Sequence, residues 1–271
     1  MGGASIASRN SQQINMVNPA SYTAVDSLAF LFEFGVFGKF SNYSNDIGSM
    51  NASDINFRYF AMNFQFTNWL AASLGMVPFS DVGYNIEVTE TVDNAGNVLY
   101  RYYGAGSLSE AYLGLSFDPV KNISVGAHLN YRFGSLNRNS EEYFTDAADL
   151  YNVQKYERIR LSDFGVDFGI QATFPLKTEE SITVGAVLEA KPEYKAFYSD
   201  LTQKTISSNN ASDVDTLNFQ DEEKSSIVFP LTVGLGISYV KENKLEINAD
   251  YFRQNWDNAK FFGTDNPILT D

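Results

Sequence analysis

The chain is organised by an alternation. Phe164, Val166, Phe168, Ile170, Ala172 and Phe174 fall on one parity, and Gly165, Asp167, Gly169, Gln171 and Thr173 on the other. A β-strand sends successive side chains to opposite faces, so this stretch predicts one oily and one wet face. Similar segments recur near 28–43, 55–66, 69–88, 98–117, 123–134, 156–174, 182–190, 227–239 and 245–253, which predicts about nine strands. A soluble sandwich would bury the oily face. Faces this long, repeated and edged with aromatic residues instead fit an all-β, antiparallel transmembrane β-barrel with lipid outside and a polar lumen inside.

The connections orient the wall. They are short at 67–68, 118–122, 176–181 and 240–244, and longer between the other strand pairs, the longest covering 191–226. Outer-membrane barrels keep short turns on the periplasmic side and long loops outside, so residues 1–27 begin on the periplasmic side. Those residues show neither helical nor strand periodicity and read as a plug segment, with the barrel occupying 28–271. Bacterial barrels have even strand numbers, so nine strands predict a wall incomplete at its C-terminus, with an open seam between the first and last strands. Met1 is followed by Gly2-Gly3-Ala4-Ser5 without the charged and apolar regions of a signal peptide, as expected of a mature or trimmed outer-membrane sequence.

Composition excludes several functions. None of the 271 residues is cysteine, which removes disulfides and thiolate metal sites. A net charge of -14 opposes nucleic-acid binding, which depends on Lys and Arg neutralising phosphates. No apolar run approaches the roughly 20 residues a transmembrane helix needs, whereas a barrel strand needs about 9–11. Acid gathers at 87–93, 141–149 and 213–223, read as solvated loops or, since carboxylates are hard oxygen ligands, as a place for a divalent cation.

The inward parity carries Glu33, Lys39, Glu110, His128, Arg132, Asp167, Glu189, Glu246 and Asp250. Charge belongs there, because Arg or Lys facing lipid at the midplane costs about 2–4 kcal/mol. Gly35, Gly114, Gly126, Gly165, Gly169, Gly185, Gly234 and Gly236 share that parity and make room for a plug or a cargo. His128 is the only histidine; Ser124 shares its face, but i and i+4 on a strand stand about 13 Å apart, too far for a catalytic pair. No catalytic residue, metal ligand set or cofactor motif emerges, and the chain does not read as an enzyme. Pro78, between Gly75 and Gly83, lacks the N–H that a ladder requires, which predicts a kink in the third strand or a position in its extracellular extension.

Three stretches together resemble the FadL/TodX long-chain fatty-acid transporter family of Gram-negative outer membranes. They are Asn18-Pro19-Ala20, the run from Ala61 through Trp69 to Gly75-Met76-Val77-Pro78-Phe79-Ser80, and Gly104-Ala105-Gly106-Ser107-Leu108 before Ala111-Tyr112-Leu113-Gly114-Leu115. The resemblance implies a fourteen-stranded barrel, of which about nine strands are visible, with Asn18, Pro19 and Ala20 in an N-terminal hatch that touches a kink at Pro78. It further implies passive uptake of hydrophobic or amphipathic cargo, released near that kink. The acidic stretch 141–153 departs from the family's apolar capture loop. The competing expectation is a non-transport structural or assembly barrel of an outer-membrane protein complex, binding protein partners through acidic extracellular loops. Both expectations place the chain among outer-membrane lipids.

Overall fold

A computed structural model describes residues 3–26, 30–44, 48–146, 150–190, 193–206, 214–241, 244–257, 259–261 and 264–265. The expected segment boundary at 27–28, the chain end, and residues 147–149 and 213 of the acidic stretches lie outside these described residues. A 3₁₀ turn, Pro19–Ala24, precedes thirteen strands of one antiparallel sheet. The strands are β1 Phe30–Ser44, β2 Ser49–Thr67, β3 Leu70–Val92, β4 Gly96–Val120, β5 Ile123–Phe144, β6 Tyr151–Lys177 and β7 Glu180–Glu189. They continue as β8 Glu193–Ile206, β9 Val214–Val228, β10 Leu231–Lys241, β11 Leu245–Asn255, β12 Lys260–Phe261 and β13 Thr264–Asp265.

The first six strands pair in sequence order. β6 then pairs with β7 along 167–177 and with β8 along 151–161, so β7 and β8 run end to end beside it. Their neighbours β10 and β9 are likewise successive parts of one lane.

The wall is open between its first and last long strands, as expected: among the described strands β1 pairs only with β2, and β11 only with β10. Other expectations are corrected here. The segment 191–226, expected as a long loop, contains β8 and most of β9. The acidic stretches at 87–93 and 141–146 are mostly the ends of long hairpin strands.

The sheet reverses its polarity part-way along. Toward the short turns, Leu113, Leu115, Phe117, Phe164, Phe168, Ile170, Leu235 and Ile237 are exposed on the outer face, while Ser116, Gln171 and Ser238 are buried on the inner one. Toward the long hairpins, Leu108, Leu136, Ile159, Leu161, Tyr194, Ala196, Ile227 and Phe229 form a buried inner cluster. Their alternating neighbours Ser107, Arg158 and Lys195 are exposed. One half therefore has the polarity of a membrane wall and the other that of a soluble β-barrel.

A line of irregularities marks the change. β3 slips register between Pro78 and Ser80. Gly106 and Gly134 have φ of 133° and 139°, accessible to glycine alone without strain. β9 gives way to β10 at Phe229 and Pro230. Bulges, glycines and prolines bend a sheet and increase its twist. The bend carries Phe79 inward against Phe229, with ring centroids 5.0 Å apart and planes at 80°. β3 thereby reaches the junction between β9 and β10 beside the inner cluster and parts from β2, whose pairing with β3 ends at Phe60 and Met76.

Candidate functional site

The inner face meets the N-terminal segment first. Asp250 accepts hydrogen bonds from the backbone N–H groups of Ser5 and Ile6 at 2.6 and 2.9 Å. Glu246 accepts from Ser8 Oγ at 3.1 Å. Across the wall, Glu33 accepts from the Ile14 N–H at 2.6 Å, so the segment spans from β11 to β1. Arg9 sits between, donating to the Ala20 carbonyl, Ser124 Oγ and Gln171 Oε1 through Nη1 and to Thr23 Oγ1 through Nη2. Ser116 donates to the Ala20 carbonyl at 3.0 Å and Gln171 to the Ile6 carbonyl at 2.8 Å.

Close approach explains the inward glycines. A Cβ on Gly185 would stand 2.5 Å from the Ile6 carbonyl oxygen, and one on Gly236 2.7 Å from Ile6 Cβ. Gly114 lies against the Tyr22 ring, Gly126 against the Pro19 carbonyl and Gly169 against Asn18. Asn18 caps the 3₁₀ turn by accepting from the Ala20 N–H at 3.0 Å, and donates to the Ile6 carbonyl at 2.7 Å. The contacts of Asn18, Pro19 and Ala20 thus go to β4, β5 and β6, and Pro78 belongs to the separate bend line on β3.

The predicted inward residues divide into three groups. Glu33, Asp250 and Glu246 hold the N-terminal segment. His128 is buried beneath it, hydrogen-bonded to the Tyr22 hydroxyl and 4.9 Å from the Tyr112 ring centroid. Ser124 instead accepts from Arg9, so it and His128 have separate partners.

Glu110, Arg132, Asp167 and Glu189 form the second group, further along the wall. Arg132 Nε meets Glu110 at 2.6 Å, and its Nη2 lies 3.6 Å from Glu189 and 3.8 Å from Asp167. The guanidinium stacks over Phe79, 4.1 Å from its centroid, and over Tyr194 at 4.9 Å. This cluster joins the polar inner surface to the apolar one.

Lys39 stands apart, exposed on β1 opposite Asp54. Gly75 occupies the last close approach of β3 to β2, where a Cβ would stand 2.5 Å from the Phe60 carbonyl oxygen. Gly83 faces open space, and nothing in the structure requires a glycine there. Among the described residues no group of His, Cys, Asp or Glu could hold a metal ion.

Sequence reasoning missed Ile6, Arg9, Tyr22 and Gln171. Arg9, the one basic residue of the first 27, was the available signal.

Fold and site define a class: an open antiparallel wall, apolar outside in one half, with its N-terminal segment bonded across the inner surface. A model of the BamG family matches residues 1–269, and the chain belongs to that family. BamG is a component of the outer-membrane BAM complex and not a known enzyme family. This match over nearly the full length overturns both the resemblance to FadL/TodX transporters and the uptake function drawn from it. No curated protein and no solved structure matches the chain.

Proposed function

We propose that the chain is a plugged outer-membrane wall serving as a non-transport, structural or assembly subunit of the BAM complex of Gram-negative bacteria. The carrying observation is the occupied interior. Residues 3–26 are bonded to the wall from β1 to β11, the Arg132 cluster follows, and the Leu108 to Phe229 cluster packs beyond it. Small-molecule passage would require breaking all three layers. A scaffold gains from the same filling, since ion pairs and apolar packing hold the sheet in one curvature.

On this reading, residues 1–27 are a fixed plug. Asn18, Pro19 and Ala20 seat it, and Asp250, Glu33 and His128 fasten it. The apolar half of the outer face contacts lipid, the short turns lie in the periplasm, and the polar hairpins project outside. The partners are lipid and other proteins of the complex.

Isolation of the tagged chain from native outer membranes in mild detergent tests this reading. BAM components should co-purify in fixed ratio and survive a salt wash. Recovery of the chain alone under conditions that preserve the rest of the complex would contradict it.

A further inference from the structure

β2 and β3 part company at the bend, and the split leaves two strand edges facing each other. β2 is paired with β1 as far as Ser49 and β3 with β4 as far as Val92, yet β2 and β3 pair with each other only from Phe60 to Thr67 and Leu70 to Met76. Along 49–55, 57–59 and 77–92 no β2–β3 ladder continues on the cleft side among the described residues. A cleft of about 310 Å³ occupies the split, with Phe57 and Arg58 on one wall and Val77, Pro78 and Asp81 on the other.

Arg58 stacks over the Phe37 ring at 5.6 Å and makes no salt bridge among the described residues. Asp81 has no cationic partner among the described residues. The cleft thus offers two rows of main-chain donors and acceptors, an apolar floor, one cation and one anion on opposite walls.

We infer that this cleft receives an extended segment of a protein partner, which adds as a strand against the β2 edge. This rests on the reading of the chain as a subunit of a protein complex. Strand addition supplies main-chain hydrogen bonds along an open edge, and alternate side chains reach the flanking surfaces. The fitting segment carries an acidic residue toward Arg58, a basic one toward Asp81 and an apolar one over Phe57 and Pro78. A lipid carboxylate could satisfy Arg58, but it would leave Asp81 and both main-chain edges unmatched. The β1–β2 ribbon beyond the split needs such a partner, because a two-stranded hairpin exposing Phe37, Phe40, Ile55 and Phe57 is at best marginally stable in water.

The test places a photoreactive phenylalanine analogue at Asn56 or at Ser80, on the two walls, and at Phe168 on the outer face as a control. The full chain is irradiated in native outer membranes and the products are mapped by mass spectrometry. Positions 56 and 80 should crosslink to the same short segment of one other subunit, and position 168 should not. Combining Arg58→Glu with Asp81→Lys should lower that yield about tenfold, since it sets like charges against those of the docked segment. Crosslinks only to lipid, only to a second copy of this chain, or to no protein would overturn the inference, as would an undiminished yield in a double variant that still folds. Co-purification of the wild-type chain is scored separately. Subunits that co-purify without a crosslink at 56 or 80 sink strand docking alone, whereas absence of co-purifying subunits sinks the complex reading itself.

Discussion

Asp250 is the residue whose loss should matter most to the N-terminal segment, because one carboxylate oxygen accepts from two successive N–H groups, those of Ser5 and Ile6. Asp250→Ala leaves both donors without that partner, at a cost of about 1–3 kcal/mol. Limited proteolysis of the folded protein should then cut within 5–15, where the parent resists, and Lys39→Ala should leave the pattern unchanged. Equal resistance of parent and Asp250→Ala would refute this role. The inward charges and glycines were legible because strand parity assigns a face to each position. Their partners were not: a segment without periodicity gives no register, so nothing in the order of residues 3–26 pairs Ile14 with Glu33 or Arg9 with Gln171.

At the scale of elements, the bend line separates two kinds of strand. Gly106 has a φ of 133°, and a Cβ there would run into the Ser135 carbonyl oxygen. Gly106→Ala should therefore lower the thermal midpoint, whereas Gly83→Ala, with open space around it, should not. Leu161 is fully packed inside the bend, and Leu161→Ala should cost about 2–5 kcal/mol in denaturant unfolding. A cost below that of an exposed alanine substitution would count against the inner cluster as a core.

The polar hairpins carry a pH signature. Burial alone would raise the Glu157 pKa, but hydrogen bonds from Tyr198, Lys155 and Arg138 outweigh it and hold the carboxyl below its ordinary value. A depressed folded-state pKa contributes stability above the unfolded value and loses it as pH falls through the folded one. Amide protection in β5, β6 and β8, taken relative to the intrinsic exchange rate at each pH, should fall as the solution is acidified below the ordinary carboxylate range, and Glu157→Gln should flatten that response.

The strands themselves were legible where several alternate apolar residues marked one face, and illegible where such residues were few, as in β8, which gives only Tyr194 and Ala196 to the inner cluster, and in most of β9. The parity change within β6, from Ile159 and Leu161 on odd numbers to Phe164 and Val166 on even ones, was the available sign of the polarity reversal.

For the whole molecule, the filled interior carries the argument. Among the described strands β1 and β11 are edges, and the wall parts again between β2 and β3. The features behind the transporter resemblance are short and local: a tripeptide before the first strand, a proline in the third and small residues in the fourth. Family membership, by contrast, extends over residues 1–269.

The most direct measurement of the assembly role is to deplete the chain in its native host and follow newly made, unrelated outer-membrane barrel proteins by pulse-chase, scoring the heat-resistant folded form. The folded fraction should fall as the chain is depleted and recover on re-expression, with uptake of hydrophobic compounds by already assembled membranes unchanged. Barrel folding at the normal rate, accompanied by loss of hydrophobic uptake, would contradict the account.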